Sequence, residues 1–338
     1  MFAKGYKKLY NFYMAKIRRL NCFDFRKLKK LISYLCNDEN DKLAKNLLEE
    51  PIGFFNAMLP LKLKFKSESF ILLEDKEILG LITVIKTPGN PYKINITRLI
   101  FKENRYDIGQ DLVNYIIKKY GNRGAKSFLV TIDECHDELF NLFINGCGFR
   151  QCACESLWKI DYPQPQKTNL RWRYAQNSDA KKIAQMYNNE LVNIYKPSLL
   201  RTAQEFQEPF FGGFYDYYKT RYVIEENKQI LGYFSITTED NLNYILDVTT
   251  NNGYDFDYDE IINTMLCEIA AKKRAFYPII KHKKYIKNSD KFEQYLKEKK
   301  YNLIQTKQIL VKDFYKPVQE SWHVFLLNDF NLSCSSGE

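Results

Sequence analysis

The sequence predicts a mixed α/β fold built twice over, and three observations predict it: an internal repeat of domain length, one proline-bearing linker, and the same order of strands and helices on each side of that linker. Residues 69–86, Ser-Phe-Ile-Leu-Leu-Glu-Asp-Lys-Glu-Ile-Leu-Gly-Leu-Ile-Thr-Val-Ile-Lys, return at 220–238 as Thr-Arg-Tyr-Val-Ile-Glu-Glu-Asn-Lys-Gln-Ile-Leu-Gly-Tyr-Phe-Ser-Ile-Thr-Thr, with Gly80 and Gly232 at matching places. Asp24 corresponds to Asp179, Tyr106 and Asp107 to Tyr254 and Asp255, and Phe140, Phe143 and Phe149 to Phe292, Tyr295 and Tyr301. The spacing stays between 148 and 155 residues, the size of a domain rather than of a solenoid unit.

The elements follow from apolar periodicity. Alternating or β-branched runs predict strands at 16–21, 69–74, 77–86, 94–101, 127–132 and 149–160, and helical spacing such as Leu112, Tyr115, Ile116 or Leu139, Leu142, Phe143 predicts helices at 23–36, 38–49, 107–120 and 136–146. Pro163-Gln-Pro-Gln-Lys-Thr-Asn169 continues neither, because two prolines in a polar run break strand and helix alike. The expected division is therefore a domain over 1–162, a linker over 163–169 and a second domain over 170–338. Strands at 170–175, 220–226, 229–238, 243–250, 275–280 and 302–313 and helices at 178–190, 257–272 and 289–299 repeat the order, and an apolar strand at 322–327 has no counterpart in the first copy.

Composition bounds the function. The 338 residues are 45% apolar and 15% aromatic, enough for two ordinary cores and unlike a disordered chain. No apolar run reaches the roughly 18–20 residues that span a bilayer, and the N-terminus lacks a secretory pattern, so a cytoplasmic protein is expected. The first twenty residues could form a short basic amphipathic helix, read as a docked terminus rather than a membrane contact. Eight cysteines lack paired metal-binding spacing and are expected as free thiols; the group Cys135, His136, Cys147, Cys152 and Cys154 is read as structural, with no metal. The net charge of +10 is scattered, and suits a polyanionic ligand, a tRNA or solubility alone.

The order β-α-α-β-β-β-α-β-α-β resembles the GNAT acyltransferases, whose pyrophosphate loop reads [Gln/Arg]-x-x-Gly-x-[Gly/Ala]. Here Asn104-Arg105-Tyr106-Asp107-Ile108-Gly109-Gln110-Asp111-Leu112 follows the strand Ile96–Phe101, with Gly109 and Leu112 matching, Asn104 in place of Gln/Arg and Asp107 in place of a Gly. Backbone N–H groups and the positive end of the helix dipole suit a pyrophosphate there, and Gly109 is expected to let that backbone approach. Asp107 competes as a helix N-cap, and Arg105 can offset its charge. Asp137-Glu-Leu-Phe140-Asn-Leu-Phe143-Ile144-Asn-Gly-Cys-Gly148-Phe149 is similar to the family's closing helix, but Ile144 stands where a Tyr often protonates the leaving thiolate. The resemblance implies two tandem acyl-CoA N-acyltransferase-like domains, each a mostly antiparallel mixed sheet flanked by helices.

It further implies acetyl-CoA or another acyl-CoA as co-substrate, held by Leu99, Ile100, Phe101, Asn104, Arg105, Asp107, Ile108, Gly109, Gln110, Asp137 and Phe140, with a backbone N–H near Leu99 to Phe101 receiving the thioester oxygen. In the second copy the loop Asn252–Asp259 carries Asp255, Asp257 and Asp259, with Asp257 aligned on Gly109, so that copy is read as fold without cofactor site. Deprotonating the acceptor amine needs a base, for which Glu134 and His136 at the end of a strand are favoured over Asp133 and Glu103. Cys135 is a weaker nucleophile candidate. The aromatic stretches at 51–58 and 209–218 lie where acceptor loops belong. The function expected is N-acylation of a small-molecule or peptide amine; the alternatives are an aminoacyl-tRNA-dependent Fem-type transferase, whose helical arm is missing, and a binding protein that has lost turnover.

Overall fold

The computed structural model describes residues 16–31 apart from Phe25 and Lys29, 67–208 apart from Glu103, and 218–314 apart from Glu239. The expected helix at 38–49, the base candidate Glu103, the stretch 51–58, nearly all of 209–218 and the strand at 322–327 lie outside them, as does most of the N-terminal basic segment. The helix expected at 23–36 is seen at 26–28 and 30–31.

Alternating apolar residues give the first copy strands β1 (Lys16–Arg19), β2 (Glu68–Glu74), β3 (Glu77–Thr87), β4 (Asn90–Phe101), β5 (Ser127–Asp133) and β6 (Arg150–Lys159). The second supplies β7 (Arg173–Tyr174), β8 (Tyr218–Glu226), β9 (Gln229–Thr238), β10 (Asn243–Thr250), β11 (Tyr277–Lys283) and β12 (Asn302–Asp313). Both hairpins of the repeat turn on two residues with positive φ, Asp75-Lys76 (48° and 68°) and Asn227-Lys228 (50° and 65°). A turn of that hand matches the twist of the strands it joins. The helices are α1 (Tyr106–Gly121), α2 (Asp137–Asn141), α3 (Ala180–Glu190), α4 (Lys196–Leu199), α5 (Tyr258–Ala270) and α6 (Ser289–Glu298).

The twelve strands of the described residues form one sheet in the order β1-β2-β3-β4-β5-β12-β6-β11-β10-β9-β8-β7. The mixed α/β class is as the sequence indicates, but the two sheets have merged, and the last strand of each copy has crossed to the other. Strand β12 pairs with β5 from Lys307↔Asp133 to Asp313↔Ser127, β6 pairs with β11 from Ile279↔Lys159 to Lys283↔Glu155, and β6 and β12 pair with each other at the centre. Residues 163–172 between the copies form neither helix nor strand. Crossing strands removes two sheet edges that separate domains would expose.

Helices cover both faces, so inner strands such as β3 are buried over nearly their whole length. Helix α1 lays Ile108, Leu112, Val113, Ile116 and Tyr120 on the face that presents Ile94, Ile96 and Val130. Full burial of each is worth about 1.5–3 kcal/mol. The opposite face is covered by Leu28 and Leu31 at the β2–β3 end and by α3 with its following loop over Leu129, Ala153, Ile309 and Val311. That second cover belongs to the second copy and lies across strands of the first: the Lys93 ammonium donates to Leu200 O (3.3 Å) and the Thr202 hydroxyl to Pro88 O (2.6 Å).

The repeat extends to an ion pair. The Arg18 guanidinium holds the Asp24 carboxylate with two hydrogen bonds of 2.6 Å, and Arg173 holds Asp179 at 2.7 and 3.0 Å. The same carboxylates accept the backbone N–H of Asn21 and Gln176. Each arginine and those bonds hold its aspartate below the usual carboxylate range.

Candidate functional site

The site is set by where two parallel strands part. Strands β4 and β5 pair only from Lys93↔Ser127 to Ile96↔Val130, and beyond that point Thr97–Phe101 have no partner on β5. The register of β4 on β3 slips at the same place, Thr83 opposing Arg98 and Val84 opposing Ile96, so Thr97 is an extra residue. Such a bulge bends the strand and increases its twist, which swings the end of β4 away from β5.

A cavity of about 370 Å³ lies at this gap, on the face away from α1. Its floor is Lys93, Asn95, Ile96 and Thr97 of β4 with Leu129, Val130 and Thr131 of β5, and its centre is Glu155 of β6 and Ile309 of β12. Thr87 of β3 joins them, and the second copy supplies Tyr187 from α3, Leu199 of α4, Arg201 and Glu205 beyond it, Lys281 of β11, and Tyr285. The site is thus composite, and its size is that of a small-molecule pocket.

Its charges are arranged rather than scattered. Glu155 meets the Lys281 ammonium at 2.8 Å and accepts the Tyr285 hydroxyl at 2.6 Å. Burial alone would raise the Glu155 carboxyl, but Lys281 and these hydrogen bonds outweigh it and hold the group below its usual range. Burial likewise opposes the charge on Lys281, and Glu155 and Asp247 reverse the sign. Burial lowers Lys93, which has no ion pair among the described residues. Arg201 is enclosed by the fold and stacks 4.6 Å above the Tyr187 ring, yet keeps partial access to the cavity.

The corresponding gap in the second copy is closed. Strands β10 and β11 pair from Asn243↔Tyr277 to Asp247↔Lys281 and then part, with no register slip between β10 and β9. On the α5 face of this gap His282, Tyr258 and Phe292 fill the space, leaving about 20 Å³. His282 is a fully bonded core residue: one ring nitrogen meets the Ser156 hydroxyl at 3.1 Å and the other Ser289 O at 3.0 Å. Asp257 caps α5 by accepting the N–H groups of Asp259 (2.8 Å) and Glu260 (3.3 Å), which are the groups an anion would use.

At α1 the first copy differs. No side chain caps that helix from its N-cap residue, Arg105. Arg105 is turned instead onto Asp107 at 2.9 Å and Glu74 at 3.8 Å, and its hydrogen bonds hold Asp107 low. Asn104 takes a φ of 58°, letting the chain turn into the helix. Gln110 donates to Gly146 O (2.8 Å) and Ile108 is core. A Cβ at Gly109 would meet Phe101 at 2.8 Å and Leu142 at 2.9 Å, so the missing side chain serves close packing of α1. The burial pattern also shifts the repeat by one: Gly109, Leu112, Val113 and Ile116 match Tyr258, Ile261, Ile262 and Met265, so the counterpart of Gly109 is Tyr258 rather than Asp257.

Leu99 and Phe101 pack with the α1 core and Ile100 with the cluster on the other face; Phe140 borders the α1 core, and Asp137 opens α2 exposed. Glu134 and His136 sit exposed on the turn after β5, and neither lines the cavity. Cys135 beside them is no activated thiol, since local desolvation and the Asp133 carboxylate push it up. Asp133, Cys135 and His136 bring ligand-type atoms within 4.8 Å of one another, with the Asp133 carboxylate already accepting from Gln305.

The cavity residues Lys93, Glu155, Arg201, Glu205 and Lys281 were not singled out by sequence reasoning. The signal was a charge inside an apolar strand, as in Cys152-Ala-Cys-Glu155-Ser-Leu-Trp158 and Pro278-Ile-Ile-Lys281.

No protein-family model and no curated protein matches the sequence. Solved structures do match the fold. A tandem GNAT protein from the clavulanic acid biosynthesis pathway superposes with a TM-score of 0.56 at 9% identity, over 88% of this chain and 98% of that one. A GCN5-related N-acetyltransferase from Sphaerobacter thermophilus gives 0.56 at 10% identity, over 88% and 95%, and a protein from Pyrococcus horikoshii gives 0.52 at 10%, over 93% and 94%. The parted parallel strands, the bulge and these superpositions together show that this chain has the tandem GNAT acyltransferase fold.

Proposed function

We propose that the protein is an acyl-CoA-dependent N-acyltransferase that uses the gap of its first copy for the thioester and the composite cavity for the acceptor amine. The observation that carries this reading is the gap beyond Ile96 and Val130, which leads into a polar cavity of about 370 Å³, whereas the second gap is filled. The uncapped start of α1 receives the pyrophosphate, with Asn104, Arg105, Asp107, Ile108 and Gln110 around it, and Gly109 acts by letting α1 pack close to Phe101. The backbone of β4 beyond its last pair with β5 offers an N–H to the thioester oxygen as it gains negative charge.

The cavity's two carboxylates divide the work on the amine. Glu155, held low by its partners, stays an anion that attracts an ammonium group. Glu205 takes the proton as the amine attacks; its Oε1 accepts the Thr202 N–H at 2.8 Å, which fixes it at the cavity wall. Ile144 offers no proton to the leaving thiolate, so that proton comes from solvent. The test is release of free coenzyme A thiol from acetyl-CoA across a panel of primary amines, with acetyl-CoA binding followed by isothermal titration. Turnover lost in Glu205→Gln with acetyl-CoA affinity retained is expected; no binding of any acyl-CoA would end the reading.

A further inference from the structure

The cavity carries two cations that no carboxylate among the described residues pairs directly. Three cationic groups line it, Lys93, Arg201 and Lys281, and only Lys281 is in an ion pair, with Glu155. Among the described residues the Arg201 guanidinium has no hydrogen bond or ion pair and rests on the rings of Tyr187 (4.6 Å) and Phe206 (5.9 Å). Lys93, 8% exposed, has one long bond to a neutral carbonyl, Leu200 O at 3.3 Å. Burial disfavours the charge on Lys93 and Arg201 adds to that, so an anion bridging the two side chains would be favoured there. Glu205 acts on both cations and Asp247 on Arg201, but Glu205 Oε1 accepts the Thr202 N–H, Asp247 is paired with Lys283, and neither acid forms an ion pair with Arg201 or Lys93.

We propose that the acceptor is a primary amine that also carries an anionic group, carboxylate or phosphate, and that Arg201 and Lys93 bind that group. The inference rests on the acyltransferase reading and deepens it. Arg201 presents a planar fork already oriented by the Tyr187 ring, which suits two parallel hydrogen bonds to one anion. Glu155 lies in the same cavity for the ammonium end, so a zwitterionic ligand finds both signs of charge there. A cavity of about 370 Å³ admits a molecule of amino-acid size.

The experiment uses the full chain and three probe series: the twenty L-amino acids, their α-amides, and phosphoethanolamine beside ethanolamine. Each is read by shift of melting temperature, which needs no turnover, and by coenzyme A release. At least one anionic probe should stabilise the protein while its uncharged partner does not, with at least a tenfold difference in KM where turnover is seen. Arg201→Gln and, independently, Lys93→Met should raise that KM tenfold or more and leave the KM for acetyl-CoA unchanged. Arg201→Lys should recover part of the loss. An amino-acid response assigns a carboxylate acceptor and a phosphoethanolamine response a phosphate one. The inference falls if amides or ethanolamine perform equally, if neither variant changes the response, or if no probe shifts the melting temperature. Turnover of uncharged amines would overturn it while sparing the acyltransferase reading, and amino-acid binding without acetyl-CoA binding would do the reverse.

Discussion

The two places where parallel strands part have the same backbone plan and opposite contents. In the first copy the bulge at Thr97 bends β4, Gly109 lets α1 pack against Phe101 and Leu142, and the gap reaches a cavity on the face away from α1. In the second copy β10 runs without a slip, Tyr258 puts a ring at the place of Gly109, and His282 and Phe292 complete a core. A duplicated fold therefore need not keep two sites. One gap is held open at the cost of packing, and the other is filled and stabilises the sheet.

The largest effect is expected from emptying the filled gap. Tyr258 is 7% exposed and packs on Phe292 (4.7 Å) and Tyr295 (5.7 Å), so Tyr258→Ala should cost about 3–5 kcal/mol in urea unfolding. It should not create acyl-CoA binding, because Asp257 still occupies the N–H groups of α5. Titration showing acyl-CoA bound to this variant with two equal sites would break the contrast. The converse change, Thr97→Trp, puts a large ring at the bulge of the open gap. Thr97 is exposed, so the fold should tolerate it, while acetyl-CoA turnover should fall about 100-fold, equivalent to roughly 2.7 kcal/mol. Unchanged kcat/KM in Thr97→Trp would place the thioester elsewhere.

The same contrast explains what the sequence could reveal. The order of elements and the duplicated hairpins were legible because hydrophobic period and turn residues are local. The exchange of β6 and β12 was not, since a strand's pattern names its buried face and not its partner. Gly109 was read correctly as a position needing no side chain, but the neighbour that demands it, Phe101, is eight residues earlier and approaches only in three dimensions. The strand-end candidates Glu134 and His136 followed a sound rule about clefts, yet the cleft is walled by the other copy, whose Arg201 and Lys281 no reading of the first copy could supply. The arginines of the repeated ion pairs were missed although Asp24 and Asp179 were matched, because their partners lie six residues back across a turn.

His282 gives a smaller, pH-dependent effect. Burial lowers its pKa below the usual value near 6.5 despite its bond to Ser289 O, so the folded state prefers the neutral ring. The unfolded chain then binds the proton more tightly, and the stability His282 contributes is present above about pH 6.5 and lost as pH falls below it. His282→Phe leaves the Ser156 hydroxyl and Ser289 carbonyl short of a partner, which should cost about 1–3 kcal/mol at pH 8 and flatten the fall in stability between pH 7 and 5.5. An equal slope in the variant would show that the ring does not titrate with unfolding.

The smallest effect sharpens the comparison by testing a feature that both copies share. Arg18 and Arg173 make equivalent two-bond contacts to Asp24 and Asp179, and their side chains are 32% and 38% exposed, so solvent screens the charge and each Arg→Ala change should cost only about 1 kcal/mol. The second should cost more, because Arg173 also meets Glu225 at 2.5 Å and Arg18 has no such second carboxylate among the described residues. Both aspartates are held below their usual range, so their contribution is full above about pH 4, the unfolded value, and disappears as pH falls through the lower folded one. Acid unfolding of the two variants should therefore begin at a higher pH than in the parent by a similar amount. If Arg18→Ala shifts it and Arg173→Ala does not, the ion pair is structural in the first copy alone, and the repeat would preserve a residue pattern without preserving its energy.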